Sequence, residues 1–445
     1  MRVLINQVRQ SLSSRLWAWP LVAAILAIVL GQTLTSVAVS EGSAIATFLW
    51  PGDTESANSM LSFISSTTLT VLTTTISMTL IVLQVASGNF SHQLLRDFIS
   101  SRAVRGILSV YIGVFAYSIV VSRSLNTGDE MPPQLAMTLA MGGIFLAVGT
   151  FIWYVSRVVD MVRMDTVIGQ SAERTITLAT KLTSRAKDCD PSDVERPSVP
   201  EQAHPLRAPS FGYVKSIDLE HAASWASSSS ANVVIDVRPG DLLMAGEILG
   251  WYWGADEELD EEVKMPMVVY LDSERSSGAD YSLGLQQILD TAQRALSSGV
   301  NDPTTAAHAI AQGSRVLRHL AANPVLPDVR RFGGPDTNQP SGFVWSAVRS
   351  TPELLRTFVS GLRRYINADT PTWLALLHLL ESVEPQADAE LRDVIEAERT
   401  RILATASKHV TDTFDLESIR EAATPPSLWD ADSRHDGTST QREGT

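Results

Sequence analysis

Cysteine is nearly absent: Cys189 is the single one in 445 residues. An intrachain disulfide and a zinc site built on several thiolates are therefore excluded. Cys189 lies in Asp188-Cys189-Asp190, where the neighbouring carboxylates disfavour a thiolate and hence a nucleophile. Histidine is also scarce, with eight scattered residues. His308 and His319 share a helical face but stand three turns apart, too far for a metal clip. The chain has no Walker-type loop, dinucleotide fingerprint, His-x-Glu zinc pattern or Gly-x-Ser-x-Gly elbow. A hydrolytic trio of Asp280, Asp302 and His308 stays open, but no pattern requires it. The stronger expectation is a protein without catalysis, metal or cofactor.

No apolar run after residue 160 is long enough to cross a bilayer, whereas four fill the first 160 residues. They run over about 16–39, 60–86, 104–121 and 134–158, and each reaches or approaches the ~20 apolar residues that a span needs. Charged residues are almost missing inside them, so the chain is expected to be a multi-pass membrane protein whose partner is the lipid bilayer.

Lys and Arg are missing from the loop over residues 40–59, which carries Glu41, Asp53 and Glu55. The basic residues stand elsewhere: Arg2, Arg9 and Arg15 before the first span, Arg96, Arg102 and Arg105 between the second and third, and Arg157, Arg163, Arg174, Lys181 and Arg185 after the fourth. The positive-inside rule then puts both termini in the cytoplasm. A cleaved signal peptide is the competing reading of the first span. Its removal would break the charge alternation, so a retained anchor is expected.

The formal charge of −14 is uneven. Residues 1–159 hold 8 basic and 6 acidic side chains, and the remainder hold 27 and 43. So acidic a second part excludes nucleic acid bound through phosphate neutralisation.

The second span is unusual. Between 62 and 79, eleven of eighteen residues are Ser or Thr and none is ionisable. Ser62, Ser66, Thr70, Thr73 and Ser77 step by three or four along one helical face, and Gln84 and Gly88 continue it. One reading is a polar wall past which a small ion or solute moves. The plainer reading is hydroxyls bonded to their own helix and used for packing. In the fourth span Ala136, Ala140, Gly143 and Ala147 form a smooth stripe for a helix–helix contact, within or between protomers. Four spans are few to enclose a pore, so a conduit implies a homo-oligomer.

The expected division is a four-helix transmembrane domain over 1–160, then a connecting helix and Pro-rich linker over 161–200. A strand-rich domain over 201–272, a helical domain over 273–410 and a tail over 411–445, disordered after 425, complete it. The strand-rich domain reads as a small β-barrel or sandwich, with Arg238-Pro239-Gly240-Asp241 suited to a type II turn. Its spacing is similar to lipoyl and biotinyl carriers, but no Lys stands where those need one. Residues 256–262 hold six carboxylates, read as a solvated loop rather than a cation site because EF-hand spacing is missing.

Residues 273–320 carry the densest specific-looking chemistry. A helix from 281 to 296 ends at Gly299, and Asn301 or Asp302 caps the next, with Pro303, Thr304 and Thr305 in its first turn. This is a good helix start and needs no ligand. The functional alternative clusters the oxygens of Asn301, Asp302, Thr304 and Thr305 at one terminus, with Arg275, Asp280 and Arg294 converging on them.

Residues 295–306 (ALSSGVNDPTTA), 281–290, Gly212-Tyr213-Val214 and Arg238–Asp241 together resemble a family of bacterial membrane proteins, domain of unknown function 2254. The resemblance covers about residues 10–410. It implies four amino-terminal spans, a bacterial cytoplasmic membrane and no assigned activity. Two departures stand out: Ser298, where the family tends to have Pro, and Ser91-His92-Gln93, in place of a Ser-Pro-Arg-like triplet. Two functions follow as expectations: an oligomeric inner-membrane conduit with a regulatory domain, or a membrane-anchored sensor that binds a ligand or protein.

Overall fold

The structure is a computed structural model that describes residues 17–36, 50–89, 102–125, 132–162, 164–185, 195–254, 268–276, 278–332 and 342–424. Cys189, the acidic run at 256–262, residues 91–93, residues 186–194 of the linker and most of the tail lie outside the described residues. Contacts divide the chain into two compact units, residues 1–166 and 167–445.

In the first unit, α1 (Ala18–Thr35), α2 (Thr54–Asn89), α3 (Arg102–Leu125) and α4 (Gln134–Val162) are the apolar helices. Each is long and apolar enough to cross a membrane, with mean hydropathy of 1.6 to 2.0. α3 packs against all three others. Buried Tyr111 and Tyr117 on α3 donate their hydroxyls to the Ala147 and Ala136 carbonyls of α4, both at 3.0 Å. Those carbonyls are accessible because Ala136, Ala140 and Ala147 are small and buried, while Gly143 meets Val114. The small-residue stripe is therefore a contact within the protomer. Large apolar side chains such as Leu26, Phe63, Leu80 and Phe145 face outward, as lipid demands rather than water.

The second unit contains most of α5 (Met164–Arg185), and then strands and helices mix. The strands are β1 (His204–Arg207), β2 (Gly212–Ile217), β3 (Asn232–Ile235), β4 (Leu242–Leu243), β5 (Ile248–Trp253) and β6 (Val269–Asp272), with α6 (Leu219–Ser228) after β2. After them come α7 (Ser282–Ala295), α8 (Pro303–Ala322), the hairpin β7 (Asp328–Phe332) and β8 (Gly342–Ser346), α9 (Thr351–Arg363), α10 (Thr370–Val383), α11 (Ala389–His409) and α12 (Thr413–Ala423).

The strands form two sheets, ordered β1-β5-β3-β8-β7 and β4-β2-β6. All pairings are antiparallel except β3 with β8, which sets Val234 opposite Trp345. Val214, Val233, Ile235, Leu243, Leu249, Val269 and Val344 from both sheets share one core with Ala222 and Ala226 of α6. The hairpin at 328–346 departs from the helical expectation for that stretch. Five-residue strands carry too few alternations to show beside long helices, yet β8 completes the first sheet. Residues 413–423, expected within the tail, form α12, which buries Ile419.

Six helices of the second unit start on a carboxylate or a hydroxyl. Asp218, Asp302, Ser350, Asp369, Asp388 and Asp412 each accept a first-turn amide hydrogen of the helix that follows. Pro in the first turn of α8, α9 and α10 uses a position whose N–H has no helical acceptor.

Candidate functional site

Three short segments meet at the N-terminal end of α7. Arg238-Pro239-Gly240-Asp241 closes on itself, with the Asp241 amide donating to the Arg238 carbonyl at 3.0 Å. Gly240 takes φ +90°, the left-handed conformation that position three of a type II turn requires. A Cβ there would stand 2.1 Å from Asp280 Oδ2, so only glycine lets the turn approach this closely.

Beneath the turn, Arg275 Nε donates to Asp280 Oδ2 at 2.6 Å and its Nη2 to Ser282 Oγ at 2.9 Å. From the third segment, Arg349 Nε donates to the same Ser282 Oγ at 3.1 Å, and its Nη2 to Asp241 Oδ1 at 2.5 Å. Ser282 in turn donates its hydroxyl and its amide to Asp280 Oδ1, at 2.6 and 3.0 Å. Arg238 Nη1 donates to Glu353 Oε2 at 2.7 Å. Tyr281 pins the arrangement by donating to the Arg349 carbonyl, and burial pushes its hydroxyl above the ordinary phenol range. Asp280 is 2% exposed, and the Arg275 and Arg349 side chains are 16% and 14% exposed.

Against this cluster lies a cleft of about 170 Å³. Its polar end is Arg275, Ser282, Arg349, Gln286 and Glu353, and its floor is Leu285, Leu289, Leu354 and Phe358. Asp241 and Asp280 do not line it, so the cleft is bordered by the two arginines and not by the carboxylates paired with them. Among the described residues, no acceptor meets Nη1 of Arg275 or of Arg349. Nearby, burial raises the Asp290 carboxyl above its ordinary range, against the Gln286 amide, which donates to it at 2.7 Å.

The sequence candidates are divided by the length of α7. Arg275 and Asp280 are together at its start, whereas Arg294 is in its last turn and Asn301 to Thr305 follow its end. Fourteen residues of helix separate the groups by about 21 Å. Arg275 and Asp280 therefore do not converge on Asn301, and Asp280 and Asp302 share no site; Arg294 alone of the three stands at that end.

At the other end, Asp302 caps α8. It accepts the Thr305 amide at 3.1 Å and the Thr305 hydroxyl at 2.5 Å, and these bonds hold its carboxyl below the ordinary range. Asn301, at φ +50°, gives its amide to the Ser297 carbonyl, and Thr304 is exposed. The same device recurs at Asp369, which accepts the Thr372 amide at 2.9 Å and the Thr372 hydroxyl as well. Two helices start this way, so capping accounts for the Asp302 oxygens.

On α2, Ser62, Ser66, Thr70, Thr73, Ser77 and Gln84 are all exposed. The helix packs through Ala57, Leu61, Ile64, Thr68, Leu72 and Thr75, about half a turn away. Ser66, Thr70 and Thr73 donate to the Phe63, Ser66 and Leu69 carbonyls of their own helix, at 3.1, 2.8 and 2.7 Å. The stripe exists, but no single four-helix unit encloses it.

The model of the family described as predicted membrane protein (DUF2254) matches residues 13–382. The chain belongs to this family. Uncharacterised proteins of Mycobacterium tuberculosis, strain CDC 1551 / Oshkosh, and of Mycobacterium bovis are each 27% identical to this DUF2254 chain over 422 residues. Each alignment covers 93% of this chain and 80% of the relative. No solved structure matches the chain.

In this DUF2254 protein, the site residues that sequence reasoning missed are Arg349, Glu353 and Ser282, with Arg238 and Asp241 read only as a turn. Ser350-Thr-Pro-Glu353 has the spacing of a capping box, and Ser350 Oγ does accept the Glu353 amide at 3.3 Å. Glu353 Oε2, however, accepts from Arg238. A cap glutamate next to an arginine was the signal available.

Proposed function

We propose that the protein is a membrane-anchored binding module that takes a small ligand in the cleft at the start of α7. The observation that carries this reading is the division of charge there. Two guanidinium groups are each fixed through two nitrogens and line the cleft, while the carboxylates that neutralise them do not. Side chains held this way lose little freedom when a ligand arrives, which is how preorganisation raises affinity. The binding unit lies on the cytoplasmic side of a bacterial inner membrane, as the basic residues flanking the spans support. Its two sheets are read as one small sandwich, because strands of both share a core.

The test is thermal stabilisation of the full-length protein in detergent across a chemically diverse set of small metabolites. Thr357 lines the cleft from an exposed position and takes no part in the arginine network, so Thr357→Trp fills the cleft and leaves the fold intact. At least one compound stabilises the wild type and not this variant. If none does, the reading is wrong.

A second reading rests on the outward hydroxyl face of α2. Several copies that bring these faces together would line a path for a small ion or solute, and the acidic second unit would regulate it. Liposome flux that Ser66→Ala/Thr73→Val/Ser77→Ala removes supports this reading, and flux unchanged by the triple substitution contradicts it.

A further inference from the structure

We propose that the ligand of the cleft is a small monocarboxylate with a short apolar chain. This rests on the binding reading above and adds the charge and shape of what binds.

The sign of the charge follows from which groups retain unused capacity. Ser282 Oγ accepts from both Arg275 and Arg349 and donates its proton to Asp280, which saturates it. The Gln286 amide nitrogen gives one of its two N–H groups to Asp290. The largest unused donor capacity is Nη1 of the two arginines, each with two N–H groups. They call for an acceptor, and planar N–H forks match a carboxylate.

A single charge is favoured over a double one. Each cleft arginine already has a carboxylate partner, Asp280 or Asp241, so these four groups sum to zero. A monoanion leaves one net negative charge in the recess and a dianion leaves two. Glu353, the sole carboxylate that lines the cleft, is itself neutralised by Arg238, so it adds no positive charge for a second anionic group to meet.

Size and apolarity come from the other wall. Leu285, Leu289, Leu354 and Phe358 are all buried and form the floor beyond the arginines. A volume of about 170 Å³ is well below the ~300 Å³ at which drug-sized sites begin. A carboxylate with a branched chain of a few carbons fits both walls.

The test is the melting temperature of the full-length protein in detergent with four probes: 4-methylpentanoate, its neutral amide, acetate and inorganic phosphate. 4-Methylpentanoate gives a saturable rise, and the other three give little or none. Thr357→Trp removes the rise. Arg349→Lys, which keeps a cation beside Asp241 but loses the guanidinium fork, weakens the apparent affinity at least tenfold. An amide as effective as the carboxylate, or phosphate more effective than it, overturns the ligand class. In that outcome, sensitivity to Thr357→Trp still upholds the cleft. A rise that survives Thr357→Trp places binding elsewhere and overturns both proposals. No rise with any probe overturns the ligand class, and the wider metabolite set then decides the cleft.

Discussion

Asp280 is the residue on which the cluster depends: buried, it accepts from Arg275 and from the amide and hydroxyl of Ser282. Asp280→Ala leaves a guanidinium without its partner and is expected to lose about 3–5 kcal/mol of stability in denaturant unfolding. Asp302 behaves differently, because its oxygens cap a helix near the surface. Asp302→Ala is expected to cost about 1 kcal/mol, the usual value of a lost N-cap. Its folded-state carboxyl is held low by Thr305, so this stability is present above the unfolded pKa and is lost as pH falls through the folded one. The gap between wild type and Asp302→Ala should therefore close below about pH 4. Asp290 carries the opposite sign. Burial raises its carboxyl, so the charged form strains the fold at neutral pH and stability drops as pH rises through the window above the ordinary carboxylate pKa. Asp290→Asn keeps an acceptor for Gln286 and should raise the melting temperature at pH 7, with the advantage shrinking below about pH 4. Arg275 and Asp280 were legible as candidates, but for the Asn301 end of α7. Arg349 and Asp241 were not, because nothing in local spacing records that distant turns meet.

Among the elements, α7 is pressed from two sides. Ser282, Leu285 and Leu289 face the cleft, whereas Gly284 and Gln287 meet α5. A Cβ on Gly284 would stand 2.0 Å from Thr175 Oγ1 and 2.6 Å from the Ser171 carbonyl oxygen. Gly284→Ala is expected to push α5 from α7 and to destabilise the second unit by about 1–3 kcal/mol, read as a lower denaturant midpoint. The four apolar helices were legible because a run of about 20 apolar residues has few soluble competitors. The β7–β8 hairpin was not: five-residue strands between helices leave little periodicity, and the parallel partner of β8 lies more than a hundred residues away.

For the whole molecule, two features compete for the function, and only the α2 stripe was visible in the sequence. The α2 hydroxyl face turns away from the helices of its own unit, so conduction requires other copies. The cleft lies within one unit of one chain, and its arginines are already in place. That difference is why we propose binding first, with the N-terminal helices as its anchor. The proposed site is then at the start of α7 and not at the Asn301–Thr305 segment that sequence spacing suggested. The most direct measurement is calorimetric titration of the full-length protein with a stabilising compound, comparing wild type, Thr357→Trp and Asp302→Ala. The account predicts that Asp302→Ala binds as the wild type does and that Thr357→Trp does not bind. Binding lost in Asp302→Ala and kept in Thr357→Trp would contradict it.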